Sequence, residues 1–175
     1  MDNHVERLIQ NETHYGDLLE QKPPDTLRIY TQNIQGIPSQ HTAEHFHSML
    51  TMMTDRQVDA FGWSETNVEW NDYKLNTELF GIYQKHFPQG KWLPTTSNIP
   101  SESTYKPGGN LLGLNKNVTA RTHSTHRDAL GRWSWATIEG KTTPITIIQL
   151  YVPGSITNTG IKSTFAQQYE QLQET

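Results

Sequence analysis

Three polar side chains close runs of residues that have the pattern of a strand. They are Asn33 in "TQNIQG", Glu65 in "GWSETN" and Tyr151 in "QLYVPG". A carboxylate with a carboxamide nearby is a hard oxygen-donor pair, suited to Mg2+ or Mn2+ and not to zinc. Mg2+ takes few protein ligands and keeps its waters for substrate phosphates, so one Glu and one Asn make half of such a site. A phenol at a third strand end is placed to donate a hydrogen bond to a phosphate oxygen. The competing reading is ordinary punctuation, since Asn and Gly end strands in most proteins. Spacing alone leaves both readings open.

The elements around these residues favour a site. Leu27, Ile29 and Thr31 alternate with Arg28, Tyr30 and Gln32, which predicts a half-buried strand ending near Asn33. Residues 43–55 read as a helix with Ala43, Phe46, Leu50 and Met53 on one face, and "VDAFGWSE" reads as a second strand. Strand, helix and strand in that order predict a parallel βαβ unit, in which ligands gather beyond the carboxyl ends of the strands. Further on, residues 75–80 read as a helical turn and "GIYQKHF" as a strand. Pro88, Pro94, Pro100 and Pro107 predict irregular structure over most of "PQGKWLPTTSNIPSESTYKP", with Trp92 its exposed aromatic. "GGNLLGLN", "RWSWATIE" and "PITIIQLY" read as antiparallel strands joined by the tight connections "NKNV" and "EGKTTP". Residues 1–24 form an arm before a domain at 25–175, and a helix starts at Thr164.

Composition narrows the class. A chain of 175 residues suits one domain with a real core. A net charge of −4, a hydrophobic fraction of 33% and five Trp predict a folded but polar, loop-rich chain. The absence of Cys excludes disulfides, zinc ribbons and thiol nucleophiles. No apolar run reaches membrane-spanning length and Met1–Gln10 has no signal-peptide hydrophobic region, so no membrane partner and a nuclear or cytoplasmic location are expected. Without a basic stripe, any contact with nucleic acid must be local. His41 and His45 are spaced i,i+4 but lack the intervening Glu of zinc proteases, so a solvated helix end is the better reading. His123 and His126 read as surface residues between strands, Trp133 and Trp135 as core on one strand face, and "PGGN" as a tight turn.

The segments "LRIYTQNIQGI", "VDAFGWSETN", "YKPGGNLLGLNKNV", "DALGRWSWATIEG" and "ITIIQLYVPG" occur in this order. Together they resemble the endonuclease/exonuclease/phosphatase superfamily, with its deoxyribonuclease I-like fold, and in particular the endonuclease domains of non-LTR retrotransposons. The resemblance spans residue 27 to about 172. It implies an α/β fold with mixed sheets and flanking helices, the N-terminal half of a four-layer α/β sandwich. It implies a Mg2+- or Mn2+-dependent phosphodiester hydrolase, with a DNA-nicking endonuclease as the first expectation and DNA as the partner. A ribonuclease or phosphoinositide phosphatase of the same superfamily, or a non-catalytic remnant or binding module, are the alternatives. Residue by residue, Asn33 matches the Asn that orders the metal's water shell and the active-site carboxylates. Glu65 matches the principal metal-ligating Glu. Tyr151 matches the Tyr of Tyr-x-Pro-Asn, which contacts the scissile phosphate. Asp128 and Arg132 match a Gly-Arg stretch with structural and orienting roles.

The departures bear on activity. Gln32 and Ser64 stand where many relatives carry Trp and Gln, and Gly154 replaces the Asn of Tyr-x-Pro-Asn. The family's later motifs, which supply the general base, the transition-state donors and the second sheet, are expected beyond Thr175, and the resemblance implies a fused reverse transcriptase after them.

Overall fold

The computed structural model describes residues 21–38, 41–96, 106 and 108–151. The arm up to residue 20, the loop at 97–105, Gly154 and the helix expected from Thr164 lie outside the described residues. The βαβ unit is present: strand β1 (Ile29–Asn33), helix α1 (Thr42–Asp55) and strand β2 (Ala60–Ser64). The strands are parallel, in register from Ile29 opposite Ala60 to Asn33 opposite Ser64. Helix α1 buries Phe46, Leu50 and Met53 against the sheet. It ends in a Schellman turn, in which Gln57 N–H donates to Thr54 O and Val58 N–H to Met53 O. Gln57 takes the left-handed conformation this turn needs, with φ 53°. Val58, the residue after it, returns to the core and feeds β2.

The next segment corrects the sequence reading. "GIYQKHF" is not a strand; it completes helix α2 (Tyr73–His86). Asp72 caps this helix by accepting the Leu75 N–H at 3.0 Å, and Leu79 and Tyr83, one turn apart, are its buried residues. Gly81, inside the helix, faces open space, and a glycine there costs only its poor helix propensity, about 1 kcal/mol. The Pro-rich stretch is also more ordered than its prolines imply, because Lys91–Thr95 forms strand β3. Pro94 is tolerated there because β3 lies at the edge of its sheet, with one side of its backbone outside the ladder. Trp92 is not an exposed aromatic. It packs between the helices and the sheet, its ring 5.4 Å from that of Trp70 and 5.2 Å from that of Phe80.

Strand β4 (Asn110–Leu114) runs antiparallel to both β2 and β3, giving a four-stranded sheet of order β1-β2-β4-β3. It does not neighbour "RWSWATIE", as short connections would suggest. "NKNV" instead belongs to a short helix, α3 (Lys116–Ala120), whose first turn is capped by the Asn115 side chain accepting the Val118 N–H. A strand that sequence reading missed follows, β5 (Thr122–Arg127), and it pairs with β6 (Trp133–Ile138), which pairs with β7 (Ile145–Leu150). "THSTHR" has no apolar residue to signal a strand, and pairing with β6 decides its conformation. His123 and His126 therefore sit on β5, not in a connection. The second sheet, expected from beyond Thr175, is already begun within the chain by these three strands.

The two sheets face each other across Ala60, Leu93, Leu112, Leu114, Ala136, Ile138 and Ile147, with Val118 closing one end. On β6 the buried residues are Ser134, Ala136 and Ile138. The alternation sends Trp133 and Trp135 to the outer face, where the His126 ring stacks on both. Their assignment to the core was wrong because small residues, not indoles, fill the interval between these sheets.

Candidate active site

The strand ends form a row. Asn33 pairs with Ser64, Ser64 with Asn110, and Asn110 with Thr95, so the same edge of the first sheet carries four polar residues, one from each strand. Alternation puts Thr31 and Asn33, Gly62 and Ser64, and Asn110 and Leu112 on the faces turned toward the second sheet. The second sheet answers with Ser134 and Gln149, directly paired and both buried. Gln149 projects against β2, where a Cβ on Gly62 would overlap its Oε1, and that oxygen lies 3.4 Å from the Thr31 hydroxyl. The interval between the sheets is thus apolar at one end and polar at the other. The polar end is where Asn33, Glu65 and Tyr151 stand.

Asn33 serves the turn first. Its Oδ1 accepts the Gln35 N–H at 3.0 Å, and Gln35 and Gly36 follow with φ 54° and 103°. The side chain is exposed at the rim of the edge. The loop it starts is anchored on the Glu65 side, because Ile34 N–H donates to Ser64 O at 3.1 Å and Ile37 N–H to Thr66 O at 2.9 Å. Gly36 lies so close to the Asn67 side chain that a Cβ would collide with its Nδ2.

Glu65 follows β2 with φ 54°, a left-handed conformation uncommon for a residue other than Gly, Asn or Asp. Such strain persists only where neighbours over-determine it, and functional sites are where it collects. The restraint here comes from the segment before β4. Thr66 N–H donates to Gly109 O at 3.3 Å, Asn67 N–H to Gly108 O at 2.9 Å, and Gly108 N–H to Asn67 Oδ1 at 2.8 Å. Gly108 and Gly109 have φ 84° and 77°, and their carbonyls hold the Glu65 loop; Pro107, the first residue of "PGGN", lies outside the described residues. Among the described residues the Glu65 carboxylate has no hydrogen-bond or ion-pair partner, and it is half-buried. The other carboxylates nearby are occupied: Glu69 pairs with Lys106 at 3.0 Å and Asp128 with Arg132 at 2.8 Å.

Tyr151 follows β7, its N–H donating to Arg132 O at 2.8 Å. Arg132 is buried and held by Asp128 through Nε and Nη2 at 2.8 and 3.0 Å. Burial pushes the Asp128 carboxyl up, but the Arg132 hydrogen bonds and charge outweigh it and leave the group below the usual carboxylate range. Sequence reading missed Asn110, Ser134 and Gln149. The signal for Asn110 was present, as a polar residue opening the otherwise apolar "NLLGL".

Glu65 and Asn33 are hard oxygen donors at adjacent strand ends, and an unpaired carboxylate among paired ones is the group left to meet a cation. The donor set fits Mg2+ or Mn2+, although one carboxylate is few ligands for either. Among the described residues no cluster of three or more His, Asp or Glu suited to a metal is present, and His41 instead makes a contact with Glu44 at 3.3 Å on the exposed helix start.

No family model matches the sequence, and no curated protein does. Solved structures do match the fold. An endonuclease/exonuclease/phosphatase family protein from Leptotrichia buccalis C-1013-b superposes with a TM-score of 0.52 at 12% identity, over 86% of this chain and 63% of that one. An AP endonuclease from Archaeoglobus fulgidus gives 0.51 at 17% identity over 85% and 49% of the two chains. AP endonuclease LMAP from Leishmania major gives 0.50 at 10% identity over 71% and 39%. The chain therefore spans less than two thirds of the length of these proteins. The architecture is the deoxyribonuclease I-like α/β fold. It is the fold of the endonuclease/exonuclease/phosphatase proteins.

Proposed function

We propose that this protein contributes the metal-binding face of a divalent-metal-dependent phosphodiester hydrolase acting on nucleic acid, DNA first. The carrying observation is the polar strand-end row, beside which Glu65, a carboxylate without a partner among the described residues, follows β2 while Asn33 ends β1 and Tyr151 follows β7. Glu65 is the metal's carboxylate ligand and Asn33 orders the waters around it. Tyr151 donates to a non-bridging phosphate oxygen. A bound Mg2+ would supply charge neutralisation for the phosphate and the leaving oxygen. The finer reading, from the resemblance, is a retroelement-type nicking endonuclease working in the nucleus or cytoplasm, with a reverse transcriptase downstream. A second reading, a binding module without turnover, is favoured by one observation. Glu69 and Asp128 are both paired with cationic side chains, and among the described residues neither is free at this edge to act as general base.

Mn2+ titration tests the metal site. One charged ligand does little to offset the dehydration of the ion, so binding is expected in the millimolar range or weaker. Paramagnetic broadening of amide signals should centre on Glu65, disappear in Glu65→Gln and only weaken in Asn33→Ala. A duplex oligonucleotide should tighten Mn2+ binding and Mn2+ should tighten the oligonucleotide by the same factor, as linkage requires. Undiminished broadening in Glu65→Gln would place the metal elsewhere and overturn the reading. Nicking of supercoiled plasmid by these 175 residues is expected to stay near background, because a general base typically supplies roughly 10²–10⁴-fold. Robust Mg2+-dependent nicking abolished by Glu65→Ala would decide for the enzyme over the binding module and put the base within this chain.

A further inference from the structure

We infer that Asn110 is a positioning residue, which sets the end of the Tyr151 strand against the Glu65 loop by joining the two sheets at the edge where both finish. This rests on the reading of Glu65 and Tyr151 as site residues. Asn110 is fully buried, a costly place for a carboxamide, and with Oδ1 unpartnered among the described residues only Nδ2 offsets that cost. Its Nδ2 donates to Arg132 O at 2.7 Å, and that carbonyl also accepts the Tyr151 N–H at 2.8 Å. Nδ2 lies in addition 3.3 Å from Gly131 O, toward which Thr95 Oγ1 points as well, at 3.4 Å. The Asn110 N–H donates to Thr95 Oγ1 at 3.1 Å, which fixes the backbone from which the carboxamide reaches across.

The same short segment holds the other partner. Gly108 and Gly109, immediately before Asn110, carry the carbonyls that accept the Asn67 and Thr66 N–H groups and restrain Glu65 in its left-handed conformation. Residues 108–110 therefore grip the Glu65 loop through the backbone and the Tyr151 strand through one side chain. Nothing else described bridges the two sheets at this edge by a side-chain donor to the carbonyl that Tyr151 uses. An apolar residue at 110 would fill the interval equally well and leave Arg132 O with the Tyr151 N–H alone. The carboxamide is present for the connection, not for the packing.

The test compares wild type with Asn110→Ala. Amide hydrogen exchange should accelerate at Tyr151 by tenfold or more while exchange at Phe61 and Gly113, in the centre of the first sheet, follows only the global stability. Mn2+ should still broaden the Thr66 amide with a midpoint within about twofold of wild type, since Glu65 is untouched. Broadening of the Tyr151 ring signals, which depends steeply on distance from the metal, should fall severalfold. A purely structural role would shift all exchange rates together and leave the ratio of Tyr151 to Thr66 broadening as it was. That result overturns the inference. If wild type shows no Mn2+ broadening at all, the metal reading fails while the exchange comparison still decides the role of Asn110. Should Asn110→Ala not fold, Asn110→Leu takes its place, keeping about the size and losing the Nδ2 donors, and is held to the same outcomes.

Discussion

Between the helices and the first sheet, the interior is aromatic. Phe46, Phe61, Trp63, Trp70 and Tyr83 meet there, the Phe61 and Trp63 rings 4.4 Å apart and the Phe46 and Trp63 rings 6.0 Å apart, edge on. The Tyr83 hydroxyl stands 2.6 Å from Leu114 O and accepts the Leu114 N–H at 3.1 Å, and burial pushes this phenol above its ordinary range. Between the two sheets the interior is built from Ala, Leu, Ile and Val, and it turns polar toward one end through Gln149, Ser134 and Asn110. The first interior is the same at both ends of the strands; the second has a direction. The helix-side core backs β1, β2 and β4, and the polar end of the inter-sheet space lies at the strand ends named in the proposed site.

The largest effect expected from breaking this division is on the aromatic side. Trp63→Ala should destabilise the protein by about 3–5 kcal/mol, the range for deleting a large buried ring and leaving its cavity. Urea unfolding measures it, read against an unchanged m-value. Mn2+ broadening at Thr66 should survive under conditions where the variant is folded, because Trp63 points away from the site face. A loss of metal binding in the folded variant would show that the two interiors are not separable.

A smaller effect belongs to the polar side. Gly62→Ala places a methyl where Gln149 lies and should cost about 1–3 kcal/mol, as overpacking does. Gln149→Ser on the same background should recover most of that loss, because the shortened side chain vacates the space. The coupling in this double-mutant cycle separates a steric fit across the sheets from a general intolerance of β2 to substitution. Additive losses would mean that Gln149 is not what requires glycine at 62.

These two interiors were unequally legible in the sequence. The βαβ unit was readable because Phe46, Leu50 and Met53 repeat at helical spacing and the strands beside them are short apolar runs. The strand-end positions of Asn33 and Glu65 followed from that unit. Helix α2 was misread because Gly81 and the aromatic residues around it imitate a strand bounded by turn residues, while the packing of Leu79 and Tyr83 is what fixes the helix. Strand β3 was hidden by Pro94, whose tolerance depends on an edge position that only the sheet order reveals. Strand β5 was hidden by polarity, and Trp133 and Trp135 were sent to the wrong face because size suggested burial. Asn110 escaped notice for a related reason. Its role depends on the second sheet arriving opposite, and no local pattern in "GGNLLGLN" encodes that arrival.

The smallest expected effect lies at the outer rim of the helix side, where α1 and α2 meet through two histidines. His86 Nε2 and His47 Nδ1 are 2.8 Å apart, so one ring donates and the other must be neutral to accept. Burial, and then the charge of His47, hold the His86 imidazole below its ordinary range, with Asp55 pulling the other way. A folded value lowered relative to the unfolded one means that the unfolded chain binds the proton more readily. The stabilisation is therefore complete above the unfolded value, about 6.5, and is lost as pH falls through the lowered folded value. Both rings are partly open to solvent, so the contribution should stay under about 1 kcal/mol. Unfolding midpoints measured between pH 7 and pH 5 should fall in wild type by more than in His86→Asn, which removes the titrating group. Mn2+ binding at Glu65, measured at pH 7, should be the same in both proteins, because the pair touches the aromatic interior's rim and not the polar strand ends. Parallel pH profiles for the two proteins would show that the contact holds the helices together without its proton mattering.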